Sequence, residues 1–294
     1  MVHQDQGKMV QVVAADAGLV APPSKYVLSE ENRPTTVAQQ AKLVIPIVDV
    51  SRLAMPDDVE EAAKLRSALQ SWGLFVVTGH GMPKEFLDEI LEATRKFFHL
   101  PLEEKLKCGN VIDGVKFQNE GYGIDRIDSD EQILDWCDRL WLQLQPEDER
   151  RLQFWPQNLR DLLHEYTLES GRVTMDVLKA MAKLLNQEEG FFINMIVSNA
   201  IFKAPWHRVV TSVDKERLSL AMFYQPEPER IIGPPGVLVH EKRPAMFKKC
   251  LVQTLADGYW DAFAAGDRTV DFLNVRINAE ADAELEARAV VANN

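Results

Sequence analysis

Hydrophobic positions recur at helical spacing over two early stretches of the chain and at strand spacing over several others. Val59, Ala62, Ala63, Leu65, Ala68, Leu69 and Trp72 fall close to the i, i+3, i+4, i+7 series. That spacing predicts a helix over residues 57–72, capped by Asp57 or Asp58 and stopped by Gly73. After Met82–Pro83 a second amphipathic helix begins, with Phe86, Leu87, Ile90, Leu91, Phe97 and Phe98 as its buried stripe and Glu85, Asp88 and Glu89 in its first turns. Pro101 breaks it, and a short helix over residues 102–107 follows. Further helices are expected near residues 159–169 and 174–185 and, as one or two elements, between Phe247 and Phe263. Ile45–Asp49, with Pro46 near its start, suits an edge strand. Leu74–Thr78, β-branched and aromatic between two glycines, reads as a buried strand, and Asp135–Leu142 alternates enough to be another. The stretch His207–Tyr224 carries a β-branched run at Val209–Thr211, a charged turn at Asp214–Glu216 and a second strand from Arg217. In an extended chain alternate residues share a face, so Leu218, Leu220, Met222 and Tyr224 lie on one side. Arg217, Ser219, Ala221 and Phe223 lie on the other.

Composition narrows the class. At 294 residues, with 46% hydrophobic and 27% charged positions, the chain is long enough for one large domain or two small ones with a substantial core. A net charge of −12 argues against a nucleic-acid backbone or an anionic membrane as partner, since both attract a positive surface. Cys108, Cys137 and Cys250 are odd in number and widely spaced, which gives neither a disulfide framework nor a zinc pattern and fits a reducing compartment. The N-terminus has no continuous apolar stretch of a signal peptide and no segment approaches membrane-span length, so a cytoplasmic location is the expectation. Pro22, Pro23 and Pro34 interrupt the lead-in, and the Ala/Glu-rich end, residues 278–294, reads as a frayed helix or disordered tail.

The chemistry concentrates around Arg217. An arginine and a serine two apart on one strand face can grip a single carboxylate together, the guanidinium by its fork and the hydroxyl by a further hydrogen bond. The plainer reading is an exposed arginine on a hairpin with a serine filling space. His80, between Gly79 and Gly81 at a strand end, reads as a turn histidine, and His240–Glu241 as an exposed turn. Asp135 and Asp138 read as solvated strand residues or structural ion pairs, and Trp136, Trp141 and Trp155 as core.

The segments H-R-V-V-T from His207 and E-R-L-S-L-A-M-F-Y from Glu216 resemble the C-terminal signature of the plant 2-oxoglutarate/iron(II)-dependent dioxygenases, of the type that oxidises small molecules. The run P-I-V-D-V-S-R-L from Pro46, then W-G-L-F-V-V-T-G-H-G from Trp72 and E-A-T-R-K-F-F-H-L-P-L-E-E-K-L-K from Glu92, resembles that family's N-terminal domain, as does the loop Gly121–Gly123. The resemblance implies that His207 is the last iron ligand and that Arg217 and Ser219 bind the distal carboxylate of 2-oxoglutarate. It implies Fe(II) and 2-oxoglutarate as cofactor and co-substrate, ascorbate as reductant and a small organic molecule as substrate. The expected fold is α+β, a helical N-terminal region plus a double-stranded β-helix (jelly-roll, cupin-like) core. It divides into a leader (1–43), the N-terminal domain (44–195), a C-terminal remnant of the catalytic domain (197–277) and the tail (278–294).

The family's iron site needs a His-x-Asp pair ahead of that last histidine, because two imidazoles and a carboxylate hold iron(II) on one face. The sole literal match in the chain is His3–Gln4–Asp5, in the leader. Phe191–Ile196 corresponds to the start of the family's catalytic core, yet Val197–Lys203 corresponds to a stretch near its end. The pattern reads as an internal deletion that removes most strands of the core. The jelly roll is therefore expected to be incomplete, with residues 197–224 adding strands to a partial sheet. Oxidation of a small molecule and a catalytically inactive product or binding remnant both stay open at this point.

Overall fold

The computed structural model describes residues 9–16, 18–30, 33, 44–55, 58–114, 116–127, 132–194, 198–205, 209, 211–212 and 215–265. The elements in chain order are α1 (Val10–Ala14), β1 (Ile47–Asp49), α2 (Val50–Leu53), α3 (Val59–Ser71), β2 (Val76–Thr78), α4 (Lys84–Phe98) and α5 (Leu102–Leu106). They continue with β3 (Val111–Ile112), β4 (Lys116–Phe117), β5 (Gly121–Gly123), β6 (Arg139–Trp141), α6 (Arg160–Leu184), α7 (Phe191–Asn194), β7 (Ile231–Ile232), β8 (Cys250–Leu251) and α8 (Val252–Ala265). Among the described residues the strands form four two-stranded ladders: β1 with β2 in parallel, and β3–β4, β5–β6 and β7–β8 antiparallel. No helix of the described residues is long and apolar enough to cross a membrane.

Local chemistry explains the helices. The Asp58 carboxylate accepts the Glu61 N–H at the start of α3, which leaves Leu65, Ala68 and Leu69 on one buried stripe. Glu61 is buried with them. Its carboxylate accepts the Asp49 N–H at 2.8 Å and pairs with Arg52 and Lys64, so no charge is left uncompensated. The stripe of α4 runs Phe86, Ile90, Thr94 and Phe97. Leu91, expected inside, is 37% exposed because it sits about 100° around the axis from Ile90, while Thr94 turns inward and bonds the Ile90 carbonyl at 2.7 Å.

Several expectations are corrected. The two helices expected at 159–169 and 174–185 are one, α6. Gly171 lies within it where an added Cβ would meet nothing, and a lone glycine costs a helix only about 1 kcal/mol. Gly121–Gly123, read as a loop, is the strand β5. The backbone of Cys108 comes so close that a Cβ on Gly121 would lie 2.6 Å from its carbonyl oxygen, so only glycine permits the approach, and Tyr122 between the glycines is fully buried. β2 is not buried: Val76 is 45% exposed and Thr78 is exposed with it, and among the described residues β2 pairs with β1 alone. Trp155 is core, at 2% exposed, whereas Trp141, expected there too, is 37% exposed.

Two apolar clusters hold the molecule. The first joins Val48, Leu65 and Leu69 to Ala182 and Leu184 of α6, to Phe191 and Phe192 of α7, and to Phe202 and Leu238 from the C-terminal part. The second gathers Met9, Ile90, Phe97, Tyr122, Phe154, Trp155, Leu159 and Leu163, with Leu220 packed on its rim. The residues 197–224 expected to add strands to a partial sheet do not do so where they are described: none of the described residues between 198 and 224 is in a ladder. The second strand expected from Arg217 has no ladder partner among the described residues.

Candidate functional site

The stretch Glu216–Tyr224 is held on the helical unit at three points. The Glu216 carboxylate accepts from Arg95 Nε at 3.0 Å and contacts His99 Nε2 at 2.8 Å, both at the C-terminal end of α4. The His99 contact first, and Arg95 after it, hold the Glu216 carboxyl below the usual carboxylate range. Leu220 packs on the second apolar cluster. Tyr224 OH donates to Ser170 Oγ at 2.8 Å, and Ser170 in turn donates to the Tyr166 carbonyl within α6. These attachments turn Leu218, Leu220 and Met222 half-inward and leave Arg217, Ser219, Ala221 and Phe223 exposed, Phe223 by 86%.

Arg217 and Ser219 thus occur on one open face of an extended segment. Their donors can meet a carboxylate there, but in full contact with water such a pair contributes little, on the order of 0–1 kcal/mol. His207 lies outside the described residues, so its place relative to the two is not part of the geometry. His3 and Asp5 lie outside them as well. The other histidines are engaged elsewhere. His80 Nδ1 accepts the Met82 N–H at 3.1 Å, as a turn histidine does, and His99 is taken by Glu216. His164 Nδ1 sits 3.0 Å from Arg150 Nη1, and His240 pairs through its backbone with Arg243 in a tight turn. Among the described residues no three His, Cys, Asp or Glu side chains stand together as a metal site. Asp138 is a helix cap rather than an ion-pair member: it accepts the Val10 and Gln11 N–H groups at 2.6 and 3.1 Å.

Sequence reasoning missed the device that joins the two parts of the chain. Ser198–Ile201 is a tight turn closed by Ile201 N–H to the Ser198 carbonyl at 3.1 Å, with Asn199 at φ 51° and Ala200 at φ 61°. Two successive left-handed residues make the turn type that joins hairpin strands, for which Asn-Gly is the favoured pair. Asn199 is 2% exposed; its amide donates to the Leu238 and Pro244 carbonyls and accepts the Met246 N–H at 2.8 Å, tying the turn to the following loop. Alanine at the second position bears a Cβ where L side chains are strained. Ala200→Gly is accordingly expected to stabilise the chain by roughly 0.5–1 kcal/mol, the relief of left-handed strain being partly offset by the extra freedom glycine adds to the unfolded chain. A urea midpoint unchanged or lowered by this substitution would contradict the strained turn.

Comparison with known proteins places the chain among relatives. Residues 45–158 match the family model described as non-haem dioxygenase in morphine synthesis N-terminal. S-norcoclaurine synthase 1 of Coptis japonica is 30% identical over an alignment of 295 positions, which takes in 74% of this chain and 83% of that protein. Protein SRG1 of Arabidopsis thaliana is 25% identical over 347 positions, covering 90% of this chain and 96% of the relative. Among solved structures, JOX2 in complex with 2OG, Fe and JA superposes with a TM-score of 0.72 at 23% identity, over 85% of this chain and 92% of that one. The rice dioxygenase for auxin oxidation superposes with a TM-score of 0.57 at 18% identity, over 78% and 98%. At these identities the structural likeness speaks for the fold.

Proposed function

The chain belongs to the plant 2-oxoglutarate- and iron(II)-dependent dioxygenases, and we propose that it is a catalytically silent member of that family. Its lineage couples decarboxylation of 2-oxoglutarate to oxidation of a small organic molecule, with release of succinate and carbon dioxide. In this reading Arg217 and Ser219 are the retained clamp for the distal carboxylate of 2-oxoglutarate, and His207 is the retained last iron ligand. Nothing else of the site is retained. The residues present do not fit iron(II): the His-x-Asp pair occurs only at His3–Asp5, and four of the six histidines sit in scaffold contacts. The clamp can hold a carboxylate, and no step of the reaction follows from it.

The observation that carries this reading is the junction after α7. α7 ends at Asn194 and the tight turn begins at Ser198, so the last helix of the N-terminal part and the stretch that resembles the end of the family's catalytic core stand only a few positions apart in sequence. The alignments support a loss at some internal point. The one with the Coptis protein is longer than the 294-residue chain yet draws on 74% of it, so many positions filled in the relative are empty here.

Cobalt(II), a spectroscopically visible stand-in for iron(II), tests the ligand count directly. Titration of the chain is expected to give no saturable visible band below the millimolar range, because a metal site forms from a complete ligand set and even outer-sphere damage costs about 10–100-fold in affinity. A one-to-one band lost on His207→Ala would overturn the reading.

A further inference from the structure

The N-terminal segment is an integral part of the fold and is held by residues far along the chain. Met9 and Val10 are each 7% exposed, with Met9 inside the second apolar cluster. Asp138 binds the first N–H groups of α1, and the same carboxylate accepts from Tyr122 OH at 3.2 Å. Further along, the Lys25 carbonyl accepts the Leu134 N–H at 2.8 Å, and the Tyr26 ring meets Trp136 edge-on at 4.8 Å between centroids. The segment is therefore fastened at two places along residues 134–138.

Beneath its first fastening lies Lys105, 4% exposed although it is a lysine. Its ammonium donates to the side-chain carbonyl of Gln11 and to the Phe98 carbonyl at 2.8 Å, and it stands 5.2 Å from the Tyr122 ring centroid. The Gln11 amide also donates to the Phe98 carbonyl at 3.0 Å. Gln11 is thus the bridging piece: its main chain meets Asp138 and its side chain satisfies Lys105. Burial lowers the Lys105 pKa, and the Asp138 carboxylate opposes that shift. Nothing in the chemistry proposed above uses this lysine, and a buried ammonium is costly to keep unless its partners stay in place.

We propose that residues 9–14 form a releasable strap: docked, it withholds the Lys105 ammonium and one face of the second apolar cluster from solvent; released, it presents both. The device suits local release, because the strap is a single five-residue helix held by two apolar anchors, Met9 and Val10, by its first N–H groups on Asp138 and by one side-chain bridge, Gln11. Segments held by few contacts open locally without global unfolding.

Pulse labelling of the full chain with acetic anhydride, read at each lysine by mass spectrometry, tests it. Lys107, whose side chain is 67% exposed, is the internal reference. In the unaltered chain Lys105 is expected to react at least about tenfold more slowly than Lys107. Gln11→Ala and Met9→Ser are each expected to speed Lys105 labelling severalfold with Lys107 unchanged and the urea midpoint of the rest of the fold retained. Should Met9→Ser unfold the chain, Gln11→Ala decides alone, since Gln11 is exposed and its loss leaves the apolar core intact. Equal labelling of Lys105 and Lys107 in the unaltered chain, or slow Lys105 labelling that Gln11→Ala leaves unmoved, would overturn the strap.

Discussion

Trp155→Ala is expected to remove roughly 3–5 kcal/mol of stability, the range for a fully buried large aromatic cut back to alanine. The indole is 2% exposed in the second apolar cluster, among Ile90 and Phe97 of α4, Leu159 and Leu163 at the start of α6, and Tyr122 of β5. The Arg150 guanidinium covers its ring at 5.3 Å from the centroid. A cavity there separates three elements at once, and none can close it without breaking another contact. The loss also falls on a chain with little margin, because its ladders are two strands wide and natural domains are stable by only about 5–15 kcal/mol. Trp155→Phe keeps most of the apolar volume and is expected to cost clearly less. Chemical denaturation followed by far-ultraviolet dichroism gives both numbers, and a loss under about 1 kcal/mol for the alanine variant would mean that the cluster is not the keystone described here.

The local parts of this architecture were legible in the sequence. Periodicity located α3 and α4 within a residue or two, the Asp58 cap was visible as a residue type in the right place, and Gly79–Gly81 around His80 marked a turn. Non-local pairing was less legible. The docking of Val10 and Gln11 on Asp138 joins positions more than 120 apart, and no pattern within the leader announces it. β5 was hidden because its glycines answer to another segment, Gly121 to the backbone of Cys108 and Gly123 to the side chain of Asn110. The alternation is seen in the exposure of successive side chains from Arg217 to Phe223, Tyr224 being exposed although expected on the inward face, but alternation speaks of faces and says nothing about whether a neighbouring strand exists. The candidate site divides the same way. Its residue types are readable, while the left-handed Asn199–Ala200 turn, a few positions after α7, carries no signal in the sequence because neither residue is a glycine.

The second large effect concerns turnover itself. The purified chain, supplied with iron(II), ascorbate and 2-oxoglutarate and offered a panel of small aromatic substrates, is expected to form succinate at the rate of a blank without protein. The iron site of this chemistry takes two imidazoles and a carboxylate on one face. In the proposed reading His207 is the single retained ligand, and His80, His99, His164 and His240 have no carboxylate two residues on and are held in other contacts. Arg217 and Ser219 can attract the dicarboxylate weakly from their exposed face, but attraction without a metal does not consume it. Succinate quantified by mass spectrometry is the most direct measurement. Succinate at the blank level with every substrate is the expected result, and succinate above the blank that His207→Ala abolishes would show that the chain completes its metal site with ligands other than the missing pair.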